Sequence, residues 1–127
     1  MIKSVFLRIF TWWNGHTVGT GLFTRWKGEF VGTDDGGNKY YRERGGHRRW
    51  VLYNGEIEAS RIPPDWHAWL HNLVDQPPSE APLETQSWET EHVPNLTGTT
   101  MAYFPAGSLN ESGQRRRTTG DYEAWSP

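Results

Sequence analysis

Ile2, Val5, Phe6, Ile9 and Trp13 recur at the spacing of one helical face, with Lys3, Ser4, Arg8 and Thr11 off it. The spacing predicts an N-terminal amphipathic helix that Asn14-Gly15 ends. A helix this short is marginal alone and needs a surface for its apolar face. Its own domain, a partner subunit or a membrane interface would each serve, the last because aromatic and cationic side chains suit the lipid boundary. From residue 17 to residue 62 the period changes to two. Glu29-Phe30-Val31-Gly32-Thr33 reads as a strand, Asp34-Asp35-Gly36-Gly37-Asn38 as a turn and Lys39-Tyr40-Tyr41-Arg42 as the returning strand. Gly45-Gly46 makes a second turn and residues 47–53 a third strand. Asn54-Gly55 is a hairpin signal, and residues 56–61, with Ile57 and Ala59 on one face and Glu56 and Glu58 on the other, continue the meander.

A second helix is predicted from Pro63-Pro64-Asp65. Proline suits a first turn because its missing N–H would have no partner there, and Asp65 complements the positive end of the helix. Trp66, Trp69, Leu70 and Leu73 fall at i, i+3, i+4, i+7 and give one indole-rich face that caps the sheet. Beyond Pro77-Pro78 neither period survives. Six of the eight prolines lie from Pro77 onward, together with Trp88, Tyr103, Phe104, Tyr122 and Trp125 at wide intervals. A linker would be rich in Ser and Gly and poor in such rings. Isolated aromatics on an extended chain suit pockets on another protein, since each carries a large apolar area at low rotamer cost. The predicted architecture is α+β and mostly irregular: an amphipathic helix over 1–15, a small antiparallel β-meander with one short capping helix over 16–76, and a long extended arm over 77–127 that orders on binding.

Composition sharpens this picture. Only 23 of 127 residues are Leu, Ile, Val or Phe, against 18 aromatic residues, 8 of them Trp. The aliphatic fraction is below that of an ordinary core, while a net charge of -2 and abundant tryptophan argue against a disordered polymer. A small core completed by something else satisfies both. Charge is uneven: residues 1–60 hold nine Lys/Arg against six acids, and residues 61–127 four Arg against nine acids. The absence of cysteine excludes disulfides, thiolate metal sites, iron–sulfur ligation and a thiol nucleophile. The apolar runs are too short to span a bilayer. Lys3 and Arg8 interrupt the N-terminal stretch and no small-residue cleavage site follows, so residues 1–13 read as part of the mature protein rather than a signal peptide. The sequons at Asn95 and Asn110 then read as chance matches.

Little in the sequence points to catalysis. His67 and His71 lie four apart on the second helix, the spacing of a two-histidine metal site, but Ala68-Trp69-Leu70 between them lacks the glutamate of a zinc hydrolase and no third ligand is signposted. Arg42, Arg44, His47, Arg48 and Arg49 among Tyr40, Tyr41 and Trp50 would suit a small nucleic-acid-binding module, yet the pI near 6.2 and the acidic back half lack the basic excess such a module needs. Guanidinium packed on rings, or paired across an interface, is the plainer reading. Arg115-Arg116-Arg117 reads as a solvated or salt-bridged patch. Gly19-Thr20-Gly21 lacks the third glycine of a dinucleotide loop, and Asp34, Asp35, Glu56 and Glu58 show no acid–base pairing.

Gly36-Gly37-Asn38-Lys39-Tyr40-Tyr41, His47-Arg48-Arg49-Trp50-Val51-Leu52-Tyr53, and Pro63-Pro64-Asp65-Trp66-His67-Ala68-Trp69-Leu70-His71 followed by Pro77-Pro78 occur in an order and spacing that resembles the alpha-subcomplex subunit 12 family of NADH:ubiquinone oxidoreductase, respiratory complex I. Asn95-Leu96-Thr97-Gly98-Thr99, Tyr103-Phe104-Pro105 and Trp125 extend the resemblance to the C-terminus, from a start near Gly28. The family includes an assembly-factor paralogue. Arg42 stands where an acid is usual, the stretch between Tyr53 and Pro63 is shorter than in mitochondrial members, and residues 106–121 match poorly. The resemblance implies a non-catalytic accessory subunit of the peripheral arm near the quinone-reducing module, with no cofactor of its own. The implied partners are core peripheral-arm subunits, especially the ferredoxin-like iron–sulfur subunit, and neighbouring accessory subunits, with no nucleic acid. An assembly factor of the same family is the alternative. Without an Arg/Ser-rich transit segment the expected location is the cytoplasmic side of a bacterial inner membrane, where residues 1–13 could touch the membrane surface. The residues expected to bind partners are Tyr40, Tyr41, Arg49, Trp50, Trp66, Trp69, His71, Trp88, Tyr103, Phe104 and Trp125.

Overall fold

The computed structural model describes residues 9–10, 15–111, 113–114, 117, 120, 122 and 124–126. Ile9 and Phe10 are helical and exposed; the rest of the N-terminal amphipathic helix, and Arg115 and Arg116, lie outside the described residues. Helix α1 spans Val18–Lys27, strand β1 Gly28–Thr33, β2 Lys39–Glu43 and β3 Arg49–Leu52; a 3-10 turn follows at Ala59–Arg61 and helix α2 at Pro64–Leu70. The strands form one antiparallel sheet in the order β1-β2-β3. The mixed α+β class and the small meander agree with the hydrophobic pattern.

Two elements differ from that pattern. Residues 18–27 were expected within the period-two region and are helical. Gly19 and Gly21 weaken the local helical preference by about 1 kcal/mol each, but the helix is fixed at both ends and from the side. Thr17 Oγ1 accepts from the Thr20 amide at 3.2 Å, and Arg25 and Lys27 lie in the last turn, where positive charge complements the helix dipole. Trp50 Nε1 donates to Thr24 Oγ1 at 2.9 Å, a contact between residues 26 apart that no local signal reveals. The second difference concerns residues 56–61, expected as a further strand. Gly55 turns with φ +91°. Glu58 then accepts from the Ser60 amide at 3.2 Å, Arg61 Nη1 donates to the Glu56 carbonyl at 2.7 Å, and Ile62 turns inward ahead of the two prolines. Local caps therefore take the backbone groups that a fourth strand would have paired.

The core lies on one face of the sheet. Tyr40, Ile62, Trp66 and Trp69 are buried, and Val31, Val51, Tyr53, Leu70 and Val74 pack around them. A bulge between Phe30 and Gly32 places two residues opposite one and brings Val31 and Gly32 to this face. Glycine is required at 32 because a Cβ there would come within 2.7 Å of Trp66 Cη2. The capping face of α2 is shorter than its spacing implied, since the helix ends at Leu70 and Leu73 is exposed.

Two compact units divide the chain, Met1–Asn95 and Leu96–Pro127. Within the first, residues past α2 are tied to the sheet and its connections. Pro77 is buried, Ser79 Oγ donates to the Val31 carbonyl at 3.4 Å, His92 Nε2 lies 2.8 Å from the Ser60 carbonyl, and the Asn95 amide donates to Ser60 Oγ at 3.0 Å. In the second unit the described residues alternate turns, held by bonds such as Ser108 N to the Pro105 carbonyl at 3.0 Å, with irregular stretches, and include neither helix nor strand.

Candidate interaction surface

The aromatic residues sort into three groups. Tyr40, Trp66 and Trp69, all named from sequence as partner-binding, are placed inside the core. Tyr40 and Trp66 stack at 3.9 Å with 10° between planes, and Trp69 meets Trp66 edge-on at 5.8 Å. Arg49 completes this layer. Its guanidinium lies 4.9 Å from the Trp69 ring, and Nη1 donates to the Trp69 carbonyl at 2.6 Å, which also accepts from the Asn72 amide, and to the Val74 carbonyl at 2.8 Å, tying the segment after α2 to β3.

Above Tyr40 sits a polar cluster that fastens the β1–β2 turn. Asp34 accepts from the Asn38 amide at 2.9 Å, Asn38 Nδ2 at 2.9 Å and the Tyr40 hydroxyl at 2.7 Å. Asn38 Oδ1 in turn accepts from the Asn54 amide at 3.0 Å, tying this turn to the one after β3. Burial, reinforced by the hydrogen bond to Asp34 and its negative charge, pushes the Tyr40 hydroxyl far above the usual tyrosine range; burial raises Tyr53 as well. The folded value exceeds the unfolded one, so the stabilisation is complete below the ordinary tyrosine pKa of about 10 and is lost as pH rises beyond it, by about 1.4 kcal/mol per pH unit for one such group. Urea denaturation as a function of pH is expected to show this decline above pH about 10, with Tyr40→Phe removing the part due to residue 40. An unchanged alkaline slope in that variant would exclude the linkage.

The second group lies across the opposite face of the sheet. Phe30, Tyr41 and Trp50 are register partners on β1, β2 and β3. Tyr41 and Trp50 stack at 6.2 Å, Phe30 meets Tyr41 at 5.7 Å, and Phe23 of α1 meets Trp50 at 5.4 Å. Four rings thus form a row, with Phe30 largely exposed and the other three half-buried. The sequence named Tyr41 and Trp50 but missed Phe23 and Phe30; Phe30 could have been found from its alternation with Glu29 and Val31, whereas Phe23 required knowing that α1 is a helix. Glu29 is held below its usual carboxylate range by its hydrogen bonds and charge attraction to Arg42, both at 3.0 Å.

The third group is exposed. Trp88 stands 76% exposed beside a groove of about 1210 Å³ lined by Pro64, Leu83 and Val93 with Asp65, Glu84, Glu89 and Glu91. In the second unit Tyr103 is 86% and Trp125 82% exposed, with Phe104 less so. His71 is exposed, its ring 4.1 Å from that of His67. Among the described residues no third His, Asp or Glu joins this pair to form a metal-holding group, and no helix is long and apolar enough to cross a membrane.

A thin core, a sheet face of aromatic rings and a second unit that exposes its aromatics define the class: a small, largely irregular α+β chain with aromatic side chains on its surface. The family model described as NADH ubiquinone oxidoreductase subunit NDUFA12 matches residues 28–127, and the chain belongs to that family. The match starts at Gly28, where the motif resemblance starts. NADH dehydrogenase (ubiquinone) 1 alpha subcomplex subunit 12 of Bos taurus is 39% identical over 95 residues, covering 64% of this chain and 65% of the relative. The probable subunit 12 of Arabidopsis thaliana is 36% identical over 103 residues, 74% of this chain and 64% of the relative. An uncharacterized protein of the bacterium Rickettsia prowazekii is 41% identical over 52 residues, 36% of this chain and 52% of the relative. The chain spans about half to two thirds of the length of the curated relatives it matches.

Proposed function

We propose that the chain is a non-catalytic accessory subunit of respiratory complex I that stabilises the peripheral arm near the quinone-reducing module. It carries no active site of its own in this reading. Its first unit docks on core subunits, the ferredoxin-like iron–sulfur subunit foremost, and its second unit reaches neighbouring subunits through exposed rings, on the cytoplasmic side of a bacterial inner membrane. Family membership supports a place in the enzyme. The observation that carries the accessory role is the second unit, where Tyr103, Tyr122 and Trp125 are presented to solvent from stretches that are neither helix, strand nor turn. Such rings contribute little to folding the unit that bears them, and become favourable when a neighbour buries them.

Quantitative mass spectrometry of active complex I, purified from the organism that carries this chain, is expected to find it in amounts equal to those of the core subunits. Presence on partial complexes alone, with none in the active enzyme, would overturn the subunit role in favour of an assembly factor.

A further inference from the structure

Strand β3 is an edge of the sheet. Among the described residues only β2 pairs with it, and residues 56–61, which the sequence offers as its next neighbour, turn away into the 3-10 segment. Its outer backbone groups therefore line an open side, the arrangement that natural sheets cover, blunt or use for pairing with another chain. Beside it runs a groove of about 740 Å³ between β3, α1 and the end of α2. Phe23, Trp50, Val51 and Leu70 give it an apolar lining, and Gly19 beside Thr20 leaves a gap in the side chains of the α1 wall. His47, Arg48 and Arg49 also line it, and no carboxylate does. Glu43 and Asp75 reach Arg48 and Arg49 only at 3.9 Å, and the Arg48 side chain is 75% exposed.

An open strand edge, an apolar lining and cationic walls together select one kind of occupant. We propose that this groove takes an extended acidic segment of a neighbouring polypeptide, which adds to β3 as a fourth strand, places an apolar side chain against Phe23 and Trp50, and sets carboxylates against His47 and Arg48. Backbone pairing supplies affinity in this mode and the side chains supply choice of partner. A nucleic acid would meet the same cations and rings but leave the β3 amides without a matched row of acceptors and donors. The proposal rests on the chain being a complex I subunit and identifies how one neighbour is held.

The test uses purified complex I carrying an Arg48→Lys chain, which keeps the charge and supplies a primary amine. Carbodiimide treatment is expected to join that amine to an Asp or Glu of another subunit, within an acidic segment identified by peptide mass spectrometry. In the untreated complex, the Arg49 and Val51 amides, which alternation turns away from β2 toward the open side, are expected to exchange as slowly as those of the central strand β2. The His47→Glu, Arg48→Glu double variant is expected to be retained about tenfold less after a moderate salt wash, as loss of charge matching at an interface implies. Coupling confined to the chain's own Glu43, release of the chain by nuclease, or edge-like fast exchange of the Arg49 and Val51 amides in the assembled enzyme would each overturn the proposal. Absence of the wild-type chain from the complex is a separate outcome, which overturns the subunit reading and the proposal together.

Discussion

Trp66→Ala combined with Trp69→Ala is expected to abolish the cooperative fold of the first unit. Trp69 is 1% and Trp66 5% exposed, and each shares ring contacts with the other. Truncating a buried Trp costs about 3–5 kcal/mol. Domain stabilities run about 5–15 kcal/mol and fall toward the lower end in small domains, so the pair removes most or all of what holds this one. The buried aromatic and aliphatic set is short: Tyr40 would lose the plane stacked at 3.9 Å, and Arg49 the ring beneath its guanidinium, leaving its charge half-buried over a void. Near-UV circular dichroism and urea titration of the full chain test this. Trp69→Phe, which keeps an aromatic surface, should retain a cooperative transition at lower urea. A native-like transition in the double alanine variant would mean that the core lies elsewhere.

The same residues show what could be read from sequence. The β1–β2 hairpin was legible because its signals are local: alternation in Phe30 to Thr33, acidic and glycine turn residues, and paired tyrosines on return. Helix α2 was legible because Pro64, Asp65 and the Trp66/Trp69 spacing agree. Helix α1 was hidden because Gly19, Gly21, Val18 and Thr20 favour other conformations locally, and the contact that holds it from the side comes from Trp50, 26 residues on from Thr24. Apolar residues could be ranked by type but not by side. Tyr40 and Tyr41 are chemically alike neighbours, yet the strand alternation sends one into the core beside Asp34 and the other onto the ring row with Trp50. Placing either on its face required knowing where α2 packs. Leu73 fits the periodic face of α2 but follows the point where Asn72, at φ 57°, ends the helix.

Ending the chain after Asn95 is expected to leave the first unit folded while releasing it from complex I. Ending it after Gln76 instead would also remove Pro77, the Ser79 contact to Val31, and the contacts of His92 and Asn95 with Ser60, so folding and binding would fail together. The later cut preserves every one of those bonds. It removes Tyr103, Tyr122 and Trp125, which are 86%, 86% and 82% exposed and so contribute little to the isolated chain. An interface aromatic in a well-packed pocket is worth about 2 kcal/mol or more, and losing two or three of them weakens attachment at least about a hundredfold. The expected pattern is an unchanged urea midpoint for the chain ending at residue 95, with its loss from salt-washed complex I. Tyr103→Ala, Tyr122→Ala and Trp125→Ala together in the full-length chain should reproduce the loss, which separates the rings from the backbone that carries them. Full retention of the shortened chain after the wash would place the attachment entirely on the first unit, and the exposed rings of the second would then have no part in holding the subunit.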